Sequence, residues 1–177
     1  MQNGRVPILP KVRDPRLITI RRGGSLTDAH HRLLAEWSAR CAEHVLPLFE
    51  RDMPDDLRPR QAIDLARAWI RGEVPMKEAH RMAFTANAAA RGLTDPAKFA
   101  ALSAGQAVAV AHVAAHDLGA AAYAIRAAQS AGSADQADQA RLQERDWQRE
   151  QLPDAVRALV LDDQRARNSL CWNVFDD

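Results

Sequence analysis

From residue 25 onward, apolar side chains recur every three or four positions almost to the end of the chain, the spacing that lays them on one face of an α-helix. Thr27 or Asp28 can cap a first helix, in which Leu34, Trp37, Cys41, Val45 and Leu48 share a core face. Pro47 is expected to kink or restart this helix, and Met53-Pro54-Asp55-Asp56 reads as the loop after it. A second helix is predicted from near Arg58, with Ala62, Leu65, Ala66, Trp69 and Ile70 as its buried stripe and Gly72 placed to stop it. Pro75 suits the first turn of a third, which carries Ala79, Met82, Ala83, Ala86 and Ala90 on one side and ends at Gly92.

Asp95-Pro96 repeats the start signal for a fourth segment, where Phe99, Leu102, Gln106, Ala109 and Val113 keep helical spacing while Val108, Ala111 and Ala115 make the other side apolar too. A helix apolar nearly all round is predicted to lie in the middle of the domain, and Gly105 leaves room for a neighbouring backbone. The pattern continues to Ala128, and its length favours a break near Ala114 over one long helix. After Gly132-Ser133 comes a polar, outer helix over residues 135–151, with Arg141, Arg145 and Arg149 in one stripe. Pro153 opens a last helix with Val156, Leu159 and Val160 buried, and the tail aromatics Trp172 and Phe175 are expected to dock on the body.

Residues 1–24 read differently. Six basic residues, Arg5, Lys11, Arg13, Arg16, Arg21 and Arg22, face the single acid Asp14, and Leu17-Ile18-Thr19-Ile20 is a short β-prone run closed by Gly23-Gly24. This is a basic arm with one or two short strands, a small β-hairpin at most, which folds back on the helices or serves as a contact arm. The predicted fold class is all-α: an irregular bundle or short helical-repeat-like array of six to eight helices over residues 25–177, preceded by the arm over 1–24.

Composition changes this picture little. At 177 residues the chain can bury roughly 70% of its unfolded surface without staples. A formal charge of +1 excludes a global field toward nucleic acid or anionic lipid, so nucleic acid is an unlikely partner. Two distant cysteines, Cys41 and Cys171, suggest neither a disulfide framework nor a zinc cage, and a reducing cytoplasm is the expected location. The N-terminus lacks the apolar run of a secretory signal, and the alanine-rich stretch over residues 99–128 carries Gln106, His112, His116 and Asp117, so no membrane insertion is expected.

Candidate chemistry is sparse. His112-x-x-x-His116 would put two imidazoles on one face of a continuous helix, with Asp117 beside them and His44 or His80 as a third metal ligand; the alternative is that they are packing or surface histidines, or line a cleft. The glutamate of a hydrolytic HExxH motif is missing. His44 shares the Trp37 and Cys41 stripe, where a buried structural thiol with a satisfied histidine is favoured over a nucleophile pair. Asp28-Ala29-His30-His31 reads as a cap followed by exposed side chains. No phosphate loop, G-x-G-x-x-G or G-x-S-x-G occurs. Neither a catalytic group nor a cofactor is expected.

Several segments together resemble a known family. They are Arg21-Arg22-Gly23-Gly24-Ser25-Leu26-Thr27-Asp28, Cys41-Ala42-Glu43-His44-Val45-Leu46-Pro47-Leu48-Phe49, Arg58-Pro59-Arg60-Gln61-Ala62-Ile63 with Ala68-Trp69-Ile70-Arg71-Gly72-Glu73, and Ala111-His112-Val113 with His116-Asp117-Leu118-Gly119-Ala120-Ala121-Ala122-Tyr123-Ala124. Their order and spacing, from about Arg13 to Ala128, resemble a bacterial family of putative immunity proteins of polymorphic toxin systems, some members of which carry an exonuclease-subunit name. The resemblance implies an all-helical cytosolic protein that binds and blocks a cognate protein toxin, and it carries no catalytic residues with it. The exonuclease name has no counterpart in this sequence. The expected binding face combines Arg58, Arg60 and Glu73 at helix ends with His112, His116 and Tyr123, because polar and aromatic groups gather there while the helices between are mostly alanine. Two further readings stand beside it: a small helical enzyme or a ligand or metal sensor using the His112 and His116 region, and a homo-oligomer packed through alanine faces.

Overall fold

In a computed structural model, which describes residues 8–177, the chain forms seven α-helices: α1 (Asp28–Glu50), α2 (Arg58–Ile70), α3 (Met76–Ala89), α4 (Ala97–Ala109), α5 (Asp117–Ser130), α6 (Ala137–Glu150) and α7 (Asp154–Arg167). Local chemistry sets the boundaries. Thr27 caps α1 by accepting the His30 N–H at 3.2 Å. Gly72 and Gly92 end the turns after α2 and α3 at a φ of 75°, a left-handed conformation that costs glycine nothing. α1 does not restart at Pro47. It runs through to Glu50, because a proline in the last turn removes only one bond of the ladder and the Pro47 carbonyl still accepts from Arg51 at 3.0 Å.

α4 is the central rod, packed by α1, α2, α3 and α5. Its alanines Ala100, Ala101, Ala104 and Ala107 are fully buried, and small side chains let four neighbours approach one axis. Gly105 faces α3, where a Cβ would collide with Asn87 Oδ1 and sit 3.4 Å from the Ala83 carbonyl. The apolar pattern does break as its length required: α4 ends at Ala109, and a loop with a short 3-10 turn (Ala114–His116) leads into α5. Since α4 and α5 consume their alanine faces inside one chain, those faces are not available for packing against copies.

The expectation of strands in the arm is not met. Residues 15–17 and 20–22 form 3-10 turns, and the β-prone run makes one isolated bridge between Thr19 and Leu26, with no strand among the described residues. A strand needs a partner edge, and an all-helical body offers none. The arm folds back on the helices: Ile8, Leu17 and Leu26 join the buried core, and Arg16 pairs with Asp162 of α7 at 3.0 Å.

α6 is polar and outer, yet one stripe is buried. Trp37 Nε1 donates to the Gln148 carbonyl at 2.8 Å, and the Gln148 amide donates to the Ala121 carbonyl at 3.2 Å and to Glu144 at 3.0 Å. Its arginine stripe holds the C-terminal tail: Arg141 and Arg145 donate to the Asp176 carbonyl, and Arg149 donates to the Phe175 carbonyl at 3.0 Å. The aromatics dock as expected, with Phe175 buried and Trp172 against Tyr123 at 5.1 Å. No helix of the described residues is long and apolar enough to cross a membrane.

Candidate functional site

Arginine side chains divide this molecule. Most are tied: Arg58 to Asp56, Arg60 to Glu50, Arg67 to Glu43, Arg71 to Glu73, and the α6 and α7 arginines to carboxylates or the tail. Among the described residues, Arg13, Arg22, Arg32, Arg81, Arg91 and Arg126 have no side-chain hydrogen-bond or ion-pair partner, and of these Arg126 lies over the Phe99 and Trp172 rings. Three of these six, Arg13, Arg22 and Arg32, line one cleft of about 400 Å³. Four segments meet there: the arm, the first turns of α1, the α2–α3 connection and the α4–α5 connection. Trp69, Val74 and Met76, each half-buried, give the cleft an apolar side, and the buried Leu17, Val113 and Ala114 lie beneath it. Arg21 also lines it but is engaged by Asp28 at 2.9 Å.

Two histidines belong to the same wall. His31 is buried, not exposed as the cap motif suggested, because the first turn of α1 lies over the α4–α5 connection. Its Nε2–H donates to the Val110 carbonyl at 2.6 Å, its ring leans on Trp69 at 4.9 Å, and burial lowers its pKa, so it stays neutral. His112 stacks on His80 at 4.0 Å with its Nδ1 3.3 Å from Met76 Sδ. Burial, then His80 and the unpaired Arg22 and Arg13, lower its pKa.

The continuous helix that would have aligned His112 with His116 does not exist. His112 lies in the loop beyond α4, whereas His116 ends the 3-10 turn, and its Nδ1–H donates to Gln106 Oε1 at 2.8 Å. Burial pushes the His116 pKa down to about 4. Asp117 faces away from both, toward Arg167. Among the described residues no three His, Cys, Asp or Glu side chains are grouped to hold a metal ion. His44 is on the rim of α1, not its core face: its Nδ1 meets Glu144 at 2.8 Å and its ring stacks on Trp147 at 3.6 Å. Cys41 is fully buried, and desolvation raises its thiol pKa, which suppresses the thiolate.

The six residues expected to form a binding face do not converge. Arg58 and Arg60 start α2 and Glu73 follows its end, so they are separated by the length of a 13-residue helix, about 20 Å. His112 lines the cleft at the Glu73 end, beside Gly72 and Val74. His116 is committed to Gln106, and Tyr123 sits between Phe99 at 6.1 Å and Trp172 at 5.1 Å, inside a packed aromatic group capped by Arg126. What sequence reasoning missed is the cleft itself. The signal available was the acid-poor arm, whose arginines exceed any local carboxylate supply.

The protein is a closely packed helical body with three unpaired arginines at one opening. The chain belongs to the Imm-5 like putative immunity protein family, whose model matches residues 24–155. That match starts after most of the arm and extends through α6, beyond the segments that carried the resemblance. No curated protein and no solved structure matches the chain.

Proposed function

We propose that this protein is a non-catalytic immunity protein that neutralises a cognate bacterial toxin by direct association in the cytoplasm. Family membership over residues 24–155 carries the reading. The build of the molecule supports it: recognition by a rigid body loses little conformational entropy on binding, and α4 and α5 are rigid by close packing. The contact surface runs along α2 from its cleft end, where Glu73 and His112 lie, toward its start. A standard interface covers roughly 800 Å² per partner. That is wide enough to reach Arg58 and Arg60 at the far end, whereas His116 and Tyr123 contribute through the packing behind it. Co-expression with the toxin encoded beside its gene, followed by co-purification, tests the proposal. Association at micromolar concentration that weakens in Arg60→Ala or His112→Ala is expected; no association at that concentration overturns it.

A further inference from the structure

Unpaired cations cost a protein something. Three guanidinium groups lining one opening repel each other, and without carboxylates that repulsion is unrelieved. Elsewhere the chain supplies the acid: Asp56, Glu50, Glu43 and Glu73 each meet an arginine at 2.5 to 2.7 Å. At the cleft it supplies only Asp28, and Arg21 occupies that. The cleft therefore presents Arg13, Arg22 and Arg32 beside the half-buried apolar side chains of Trp69, Val74 and Met76.

We infer that this cleft is the docking site for an acidic segment of a protein partner. Carboxylates of that segment meet Arg13, Arg22 and Arg32, and a neighbouring apolar side chain covers the apolar side. A free phosphate would satisfy the guanidinium groups and leave the half-buried Trp69, Val74 and Met76 uncovered. A nucleic acid strand would need a continuous basic track, and Asp28 in the cleft with Glu73 next to its lining residues Gly72 and Val74 interrupts one. The chemistry of the site stands on the geometry; the identity of the partner as a toxin rests on the function proposed above.

The full-length protein is titrated with the peptide acetyl-Glu-Glu-Leu-Leu-Glu-Glu-amide, with inorganic phosphate and with a polyuridylate of about ten nucleotides. It is then titrated with the cognate toxin. The expected result is saturable, salt-sensitive peptide binding, weakened about tenfold or more by the double variant R22E/R32E. The variant R81E/R91E makes the same change in net charge at unpaired arginines outside the cleft and should bind as the wild type does. No peptide binding at millimolar concentration, equal loss in R81E/R91E, or tighter binding of phosphate or polyuridylate than of the peptide overturns the inference. If the toxin binds and R22E/R32E binds it undiminished, the cleft inference falls and the proposed function stands. If the peptide behaves as expected and the toxin does not bind, the reverse holds.

Discussion

Two arginine-rich regions of this molecule use the same side chain in opposite ways. Along α6, α7 and the tail, each guanidinium is spent internally: Arg141, Arg145 and Arg149 clamp the tail, Arg157 donates to the carbonyls that close α6, and Arg167 is buried between Asp163 and Asp117. Around the cleft, Arg13, Arg22 and Arg32 donate to nothing described in the chain. Sequence proximity to acids separates the two cases only in part. Arg32 has Asp28 and Glu36 one helical turn to either side, but Arg21 takes the first and Arg40 the second. The first region has an Asp or Glu within a helical turn of most of its arginines; the arm has only Asp14, which Arg16 takes at 2.8 Å. The difference teaches that arginine content alone says nothing about recognition. What counts is whether the fold delivers a carboxylate.

The sharpest break of the comparison is Arg167→Met. Arg167 is nearly inaccessible, its Nε donates to Asp163 at 2.7 Å, and its Nη1 donates to the Ala115 carbonyl at 2.9 Å. Removing it leaves two buried carboxylates without a cation, and the expected loss is about 3–5 kcal/mol by urea denaturation. The triple variant R167M/D163N/D117N should recover a large part of that loss. If R167M alone unfolds at the wild-type midpoint, the buried cluster does not hold the C-terminal half to α5.

Most of the fold could be read along the chain, and the reason is local. Helix starts at Thr27 and Pro75 and stops at Gly72 and Gly92 depend on neighbouring residues only. So does the all-round apolarity that sends α4 to the centre. The failures are tertiary. Leu17-Ile18-Thr19-Ile20 has strand propensity but no edge to pair with, and His31 looks exposed until the Val110 carbonyl arrives from 79 residues away. Asp163 and Arg167 keep an ordinary i,i+4 spacing, but Asp117 joins them from 46 and 50 positions away, which no periodicity marks. The cleft needs four chain segments at once. Its arginines were visible singly, but the grouping was not.

The second break concerns pH. Burial without a full complement of hydrogen bonds pushes Asp117 up to about 7, although Arg167 opposes the shift; its Oδ2 has no partner. A carboxyl raised in the folded state stabilises at low pH, and that stability is lost as pH rises from about 4 toward 7. His116, depressed from 6.5 to about 4, runs the other way: its stability is present above 6.5 and lost as pH falls through 4. The two slopes oppose each other between about 4 and 6.5. His116→Gln should therefore expose the falling slope and Asp117→Asn the rising one, which lowered His31 and His112 reinforce. Each change is on the order of 1 kcal/mol per pH unit at most. Denaturation midpoints measured across this range decide it: parallel profiles for the two variants would contradict the opposition.

The smallest effect is also the most telling about the cleft. Arg32 is exposed, lies in the second turn of α1 and makes no ion pair. Glutamate there relieves repulsion from Arg22 and lies near the positive end of the helix dipole, but it also meets Asp28 and Glu36 one turn to either side, so Arg32→Glu should change stability by no more than about 0.5 kcal/mol. Replacing a side chain retained for folding would cost clearly more. Arg167 and Arg32 thus form a paired test by thermal melting at one pH: the first removal lowers Tm steeply and the second does not. If Arg32→Glu lowers Tm by several degrees, the cleft arginines are structural like those of α6 and α7, and the distinction between the two regions disappears.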